Sequence, residues 1–313
     1  MINLNFGKRD ARYSEVIGMK TLFMVMLILA SALFIAGCTQ NATPGQSAPQ
    51  GNQTPSTIGV ASSSLGTILV DANGMTLYYF AADIPASGIS SCSGPCIGIW
   101  PVFSPGTVTV SAPLAASDFS SFVRDDGKTQ VTYRGWPLYY FAKDATPGDV
   151  NGENVLGTWF VVKPDETVMI AQQSALGSFL TDSRGNTLYY FAKDTPGTSM
   201  CTGGCTGKWP SFDTATISAP SVLSPAAFSS MMRADGMNQT TYMGRPLYYF
   251  ANDTKPGDTN GEGFNNLWYV AAINGTIPVS SAPLPASTMM PETAMPTVTA
   301  TPSMAMLVTS GGY

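Results

Sequence analysis

The sequence predicts an all-β protein made of two tandem, duplicated small β domains that are built from hairpin repeats. Three observations support this fold class. The heptad Leu-Tyr-Tyr-Phe-Ala-x-Asp occurs in four copies, which begin at Leu77, Leu138, Leu188 and Leu247. The second half of the chain repeats the motifs of the first half in the same order. The segments around the heptads have the pattern of strand, tight turn and strand.

Composition limits the function classes that need to be considered. Charged residues make up 11% of the 313 residues, against roughly 25% in an average soluble domain. The formal net charge of -5 gives no reason to expect a nucleic-acid partner. The sequence contains no histidine, which excludes Ser-His-Asp and Cys-His catalysis and histidine-bound zinc or haem. We therefore expect a protein that is not an enzyme and has no cofactor.

The N-terminal region has the features of an export signal. A lysine after Met19 precedes an apolar run from Leu22 to Ala36, and Cys38 follows one residue later. The ending Ile-Ala-Gly-Cys resembles a lipobox, in which the cysteine carries the lipid. We predict a leader and lipoprotein signal peptide over residues 1–37 and lipidation at Cys38. An ordinary signal peptide and an uncleaved anchor are the alternatives, and the start at Met1 or Met19 stays open.

The remaining chain divides by composition and by repeat. The stretch after Cys38 is rich in Pro, Gln, Ser and Thr, and the end of the chain is rich in Pro, Thr, Ser and Met. Neither composition can bury a core. The predicted divisions are a flexible tether over 38–56, β repeat domains over 57–164 and 165–277, and a disordered tail over 278–313.

Each domain is expected to contain two hairpins and a closing strand. In the first domain, Thr67–Asp71 and Met75–Phe80 flank Asn-Gly, a strong signal for a turn with two positive φ angles. Lys128–Tyr133 and Pro137–Phe141 form the second predicted hairpin. The closing strand is Thr158–Val162, and Leu267–Val270 corresponds to it in the second domain.

A short helix is expected at one place. Ser224 and Pro225 have the residue types of an N-cap and a first helical position, and they predict one or two helical turns over 226–232.

The heptads are expected to be strands that are covered on both faces. In the first copy, Leu77, Tyr79 and Ala81 share one face, and Tyr78 and Phe80 share the other. The aspartate that ends each heptad can accept backbone N–H groups and fix the following turn. A groove lined by exposed aromatic side chains is the functional alternative. The motif residues are Tyr78, Phe80, Asp83, Tyr139, Phe141, Asp144, Tyr189, Phe191, Asp194, Tyr248, Phe250 and Asp253.

Four cysteines follow Cys38 and form two Cys-x3-Cys pairs. Outside the cytoplasm, disulfides are the default. Four cysteines allow three pairings, and one pair in each duplicated unit favours Cys92–Cys96 and Cys201–Cys205. A redox-active bridge is the alternative. A four-cysteine metal site is disfavoured because Cys-x2-Cys spacing is usual there.

Two Asp-x-Asn-Gly-Glu loops invite a calcium hypothesis. Asp149, Asn151, Asp258 and Asn260 place oxygen atoms at alternate positions. The position at which an EF-hand has glutamate is aromatic in both loops. An Asx-turn is therefore the favoured interpretation, and we expect no metal site.

The heptads fit Tyr-x-(Phe/Trp/Tyr)-x-x-Asp. Together with the lipobox, the Cys pair before Trp-Pro and the stretch Gly-Trp-Pro-Leu-Tyr-Tyr-Phe, they resemble the predicted lipoproteins built from the secreted repeat of unknown function. The resemblance covers about residues 65–270. It implies a lipid-anchored envelope protein of bacteria or archaea with no established activity.

These observations predict a binding or surface-display role. The expected partners are the membrane, through the lipid, and either an envelope protein or a small apolar ligand. Two alternatives stay open. One is a thiol-redox or electron-transfer accessory that uses the cysteine pairs, and the other is a carrier of an apolar small ligand.

Overall fold

The computed structural model of the chain describes residues 56–274. All of these residues belong to one unit that spans residues 53–313. The predicted signal peptide over 1–37, lipidation at Cys38, nearly all of the tether and the tail over 278–313 lie outside the described residues. Below, residues 56–164 are called the first half and residues 165–274 the second half.

The regular secondary structure of the described residues is mostly strand, as the sequence predicts. The strands of the first half are β1 Ser56–Ser63, β2 Gly66–Val70, β3 Tyr78–Phe80, β4 Val108–Val110, β5 Phe119–Val123, β6 Thr129–Tyr133, β7 Trp136–Pro137 and β8 Trp159–Val161. Those of the second half are β9 Val168–Gln173, β10 Gly177–Asp182, β11 Tyr189–Phe191, β12 Phe228–Met232, β13 Asn238–Tyr242, β14 Arg245–Pro246 and β15 Trp268–Val270. The helices are α1 Cys96–Ile99 and α2 Gly204–Lys208, with 3-10 turns at Ala116–Asp118, Pro225–Ala227 and Phe264–Asn266.

The two halves have matching sheets. In the first half, the strand orders are β2-β1-β4, β3-β8 and β5-β6-β7. In the second half they are β10-β9, β11-β15 and β12-β13-β14. All the strand pairs are antiparallel except β1 with β4. The first heptad of each half contributes a three-residue strand, β3 or β11, whereas the second contributes only isolated bridges at Tyr139 or Tyr248. The predicted strand over Pro137–Phe141 was therefore too long.

The first heptad is buried on both faces, as the alternation of its residues predicts. Leu77, Tyr79 and Ala81 belong to one cluster of buried residues. Tyr78 belongs to a second cluster, and Phe80 packs against it. Burial of both faces explains why no polar residue interrupts the strand.

Two further local predictions were wrong in detail. The Asn-Gly turn has a positive φ only at Gly74, whereas Asn73 has none, because the Asp71 carboxylate fixes the turn by accepting the N–H groups of Asn73 and Met75. Residues 225–227 form only one 3-10 turn. Residues 228–232 are strand β12, because the apolar Phe228 and Met231 pair with β13.

The two halves share one hydrophobic core. Leu69 and Phe160 of the first half and Phe179 and Leu188 of the second lie in one cluster of buried residues. The division into two domains at residue 164 stays a prediction. None of the helices within residues 56–274 has the length and apolar character of a membrane span.

Candidate functional site

The heptads of the first half are joined by reciprocal tyrosine–aspartate hydrogen bonds. Tyr78 Oη donates to Asp144 Oδ2 at 2.7 Å, and Tyr139 Oη donates to Asp83 Oδ2 at 2.6 Å. The backbones of the two tyrosines also exchange N–H···O bonds, of 2.9 and 3.0 Å. Each heptad therefore holds the end of the other one.

The second half repeats this arrangement. Tyr189 Oη donates to Asp253, and Tyr248 Oη donates to Asp194, both at 2.6 Å. In all four heptads the N–H of the aspartate donates to the carbonyl of the phenylalanine three residues earlier, at 3.0 Å. The same local turn thus presents all four carboxylates.

The second oxygen of each aspartate fixes the loop that follows it. Asp83 Oδ1 accepts the N–H of Ser91 at 2.6 Å, and Asp144 Oδ1 accepts that of Asn151 at 3.0 Å. The sequence-based prediction that these carboxylates fix turns agrees with this geometry.

Burial dominates the electrostatics of these pairs. It raises the pKa of Asp83 to about 6, although hydrogen bonds from Tyr139 and Ser91 act in the opposite direction. Burial also raises the pKa of Asp144, Asp194 and Asp253. The pKa values of the partner tyrosines rise because of burial and the neighbouring aspartates. The phenols therefore stay protonated at neutral pH and remain hydrogen-bond donors to the aspartates.

The cysteine pairs form the two bridges that the sequence predicts. Cys92 and Cys96 lie at disulfide-bonding distance with Cα atoms 5.4 Å apart, and Cys201 and Cys205 with Cα atoms 5.3 Å apart. Within each pair the first cysteine is fully buried and the second is partly buried.

A buried arginine holds each bridge in place, which sequence reasoning missed. Arg124 Nη2 donates to the carbonyl of Cys92 at 2.8 Å, and its Nη1 donates to Gln130 at 2.7 Å. Arg233 makes the same contact to Cys201 at 2.7 Å. The repeated Arg-x-Asp-Gly motif was visible in the sequence, but the residue it contacts lies 32 positions away.

Each bridge adjoins a column of four stacked rings. In the first half the column runs Phe80, Trp159, Trp100, Phe141, with centroid separations of 4.2, 3.8 and 4.4 Å. In the second half it runs Phe191, Trp268, Trp209, Phe250, with separations of 4.2, 3.7 and 4.3 Å. Because the rings stack on each other, the heptad phenylalanines contribute to the packing of the hydrophobic core.

The two calcium-candidate loops are held by internal hydrogen bonds. Asp149 Oδ2 accepts the N–H groups of Ala145 and Thr146, and its Oδ1 accepts the Thr146 hydroxyl. Asp258 Oδ2 accepts the N–H groups at 254 and 255. The N–H groups of Asn151 and Asn260 donate to heptad aspartates. Residues 56–274 contain no cluster of three or more His, Cys, Asp or Glu side chains suited to a metal ion.

The loops between heptads form a groove of about 360 Å³. We call it the isoleucine groove, because Ile84 and Ile89 on its wall are 47% and 66% exposed. Phe122 lines it, and so does Arg134, which pairs with Asp118 at 3.3 Å. Arg184 lines the groove too and also pairs with Asp118 at 3.3 Å. The groove thus has an exposed apolar wall and two arginines that share one aspartate.

The burial of Glu166, in the connection between the halves, was also not predicted from the sequence. Its side chain is buried, and neither carboxylate oxygen has a hydrogen-bond partner. Burial raises its pKa to about 8, although Lys163 Nζ lies 3.8 Å from Oε1. Glu166 is a charged residue in a polar connecting segment, so nothing in the sequence indicates that its side chain is buried.

Comparison with known proteins identifies the repeat. The model of a family described as a secreted repeat of unknown function matches residues 59–104, 120–163, 171–212 and 229–272. Each matched range contains one complete heptad. No curated protein and no solved structure matches the chain.

Proposed function

Because the chain belongs to the family of secreted repeats of unknown function, we propose that it is a lipid-anchored envelope protein that binds an apolar ligand without catalysis. The family description indicates an extracellular or envelope location. The lipobox-like ending at Cys38 supports the anchor. The isoleucine groove is the proposed binding site.

The contrast between heptads and loops is the observation that carries this proposal. In the first half, the hydroxyls of Tyr78 and Tyr139 bond to the heptad aspartates, and the rings of Phe80 and Phe141 stack in the core. The heptads therefore supply a rigid scaffold. The exposed isoleucines lie on the loops between them, and functional residues concentrate on loops that a scaffold positions.

The dimensions and chemistry of the groove suit a small apolar ligand. Its volume of about 360 Å³ falls within the range of small-molecule pockets, roughly 300–1,000 Å³. Covering Ile84 and Ile89 would remove apolar surface from water, which stabilises the complex by about 25 cal/mol per Å². Arg134 and Arg184 share Asp118, so the groove has one uncompensated positive charge beside its apolar wall, and a neutral polar end or an anionic end on the ligand would be tolerated there.

A fluorescence titration tests the binding proposal. Trp136 adjoins Gly135 and Pro137, which line the groove, so its emission should report an occupied groove. Medium-chain alkanes, long-chain alcohols and oligosaccharides are the probes. We expect saturable changes with the alkanes or alcohols and none with oligosaccharides. The double variant Ile84→Ser, Ile89→Ser should abolish the response.

Met232→Ser is the matched control, because Met232 is an exposed apolar side chain of the second half that does not line the groove. It should leave the response unchanged. An equal loss in both variants, or no response to any apolar probe, would overturn the assignment of the groove.

Fractionation tests the anchor separately. The wild-type chain should sediment with membranes, and Cys38→Ser should release it into the soluble fraction. A Cys38→Ser chain that stays with the membranes would refute lipid anchoring through this residue.

A further inference from the structure

The isoleucine groove is assembled from both halves of the chain. Ile84 and Ile89 belong to the first half, whereas Arg184, which also lines the groove, lies in the turn after β10 of the second half. A Cβ on Gly185 would lie 2.5 Å from Pro85 Cγ, so the two loops pack tightly against each other there. This contact fixes the backbone of Arg184 beside the apolar wall.

Three of the residues that line the groove are charged, and they interact with one another. Arg134 Nε and Arg184 Nη2 each donate to the carboxylate of Asp118 at 3.3 Å. Arg134 Nη1 donates to the backbone carbonyl of Glu166 at 3.1 Å, which does not neutralise its charge. Two positive charges therefore share one negative charge, and the groove keeps one positive charge in excess.

Arg184 has donors that the protein does not use. Its side chain donates through Nη2 alone, and no residue within 56–274 accepts a hydrogen bond from its Nε or Nη1. The side chain is also 63% exposed. Hydrogen bonds from a guanidinium group to a carboxylate are about twice as strong as those between neutral groups. Arg184 can therefore bind an anionic group while it keeps its bond to Asp118.

The charges are not needed for the turn that carries them. The Arg134 N–H donates to the carbonyl of Asp118 at 2.7 Å. In the second half, the Met243 N–H donates to the carbonyl of Ala227 at 2.7 Å. Arg134 and Met243 also have the same φ, 50°. The second half thus forms the same turn without an arginine or an aspartate, so folding of the turn does not account for the ion pair in the groove.

We propose that the ligand of the isoleucine groove is a single-chain fatty carboxylate. This proposal rests on the proposed function, which assigns the binding of an apolar ligand to the groove. The alkyl chain covers Ile84 and Ile89, and the carboxylate accepts N–H groups of Arg184. Asp118, which bonds to both arginines, orients the Arg184 guanidinium group towards the ligand.

The charge of the groove suits a single carboxylate better than a membrane surface. Segments that bind anionic lipid surfaces have clusters of about 4–8 lysines and arginines, whereas two arginines line this groove. The whole chain carries a formal net charge of -5, which opposes adsorption to an anionic surface. A fatty carboxylate needs one cationic partner and one apolar wall, and the groove supplies both.

Three ligands of equal chain length and different charge test the proposal: octanoate, octanol and octylammonium. Tryptophan emission of the full chain follows their binding at pH 7. Octanoate should bind at least about tenfold more tightly than octylammonium, because like charges repel in the groove. Raising the salt concentration from about 0.05 M to about 0.5 M should weaken the binding of octanoate severalfold and should not weaken that of octanol.

Variants locate the charge that matters. Arg184→Gln should lower the ratio of octanoate affinity to octanol affinity by about threefold to fivefold. Asp118→Asn should raise this ratio, because both guanidinium groups are then free to face the ligand. Lys143→Gln is the matched control, since Lys143 is exposed and does not line the groove. The same loss of one positive charge there should leave the ratio unchanged.

The outcomes separate this proposal from the proposed function. Saturable binding of octanol with an unchanged ratio in Arg184→Gln would overturn the carboxylate and leave the apolar groove standing. No binding of either octanoate or octanol would overturn both. Octylammonium that binds as tightly as octanoate, or equal effects of Arg184→Gln and Lys143→Gln, would overturn the carboxylate. Binding to phosphatidylglycerol vesicles without binding of octanoate would also overturn it, because a membrane surface would then occupy the groove.

Discussion

Tyr78 and Tyr139 make reciprocal contacts, in which each residue bonds to the heptad of the other. Their backbones exchange two hydrogen bonds, and each phenol donates to the aspartate that ends the heptad of the other. The motif Tyr-x-Phe-x-x-Asp is therefore satisfied by pairs of heptads and not by single ones. This explains why each half contains two copies.

The first prediction concerns this exchange. Tyr139→Phe removes a donor from the buried Asp83 carboxylate, which leaves it only the Ser91 hydrogen bonds. We expect the free energy of unfolding to fall by about 1–3 kcal/mol, measured by urea denaturation at pH 7.

Tyr269→Phe is the control for this prediction. Phe160 holds the equivalent position in the first half. It should change the stability by less than about 0.5 kcal/mol. Equal effects of the two substitutions would contradict the role of the Tyr139–Asp83 bond.

The second prediction concerns Glu166 and pH. Burial raises its pKa from an ordinary 4.5 to about 8. The folded state therefore binds this proton more tightly than the unfolded state does. The stability that this proton provides is complete below about pH 4.5 and is lost as the pH rises through about 8.

Glu166→Gln removes this titration. Relative to the variant, the wild-type chain should lose stability between pH 5 and pH 9, at up to about 1.4 kcal/mol for each unit of pKa shift. Urea midpoints at the two pH values measure it. Asp165→Asn, at the exposed neighbour, should keep the wild-type pH dependence. Parallel pH profiles for the wild type and Glu166→Gln would refute the buried carboxyl effect.

Sequence reasoning succeeded where the information is local or periodic. The alternation in Leu77–Ala81 predicted which residues share a face, and the duplication predicted the Cys92–Cys96 pairing. The Tyr139–Asp83 bond joins residues 56 positions apart. It could not be predicted because the order of strands in space depends on packing. Glu166 and the isoleucine groove were missed for the same reason, since burial and exposure of a loop residue arise from tertiary contacts.

The third prediction concerns the arginine that holds each bridge. Arg124→Met removes the donors to Cys92 and Gln130, so the first disulfide loop should open more often. We expect faster reduction of Cys92–Cys96 by dithiothreitol, with Cys201–Cys205 unchanged, as read by alkylation and mass spectrometry. Charged hydrogen bonds contribute about 1.5–3 kcal/mol. Their loss should therefore raise the rate at which Cys92–Cys96 is reduced by at least about tenfold.

Arg233→Met is the reciprocal control and should accelerate only the reduction of Cys201–Cys205. If both variants accelerate both bridges, the effect is global unfolding. Rapid reduction of either bridge in the wild-type chain by glutathione would favour the thiol-redox alternative over a structural role.

The fourth prediction concerns Gly152, which lies against the Tyr78 side chain. Its N–H donates to Tyr78 Oη at 3.2 Å. A Cβ at this position would lie 2.7 Å from Tyr78 Cε1 and 2.9 Å from Trp100 Cη2. Both rings are buried, and Trp100 is stacked against Trp159, so neither can move aside freely.

Gly152→Ala should therefore reduce the free energy of unfolding by about 1–3 kcal/mol through overpacking. Gly261→Ala should do the same in the second half, where the Cβ would lie 2.8 Å from Tyr189 Cε1. Gly98→Ala is the control, because its Cβ would meet no atom within 4 Å. Thermal unfolding of the three variants measures the effect. If Gly152→Ala is as stable as Gly98→Ala, the close contact between this loop and the Tyr78 ring does not constrain the fold.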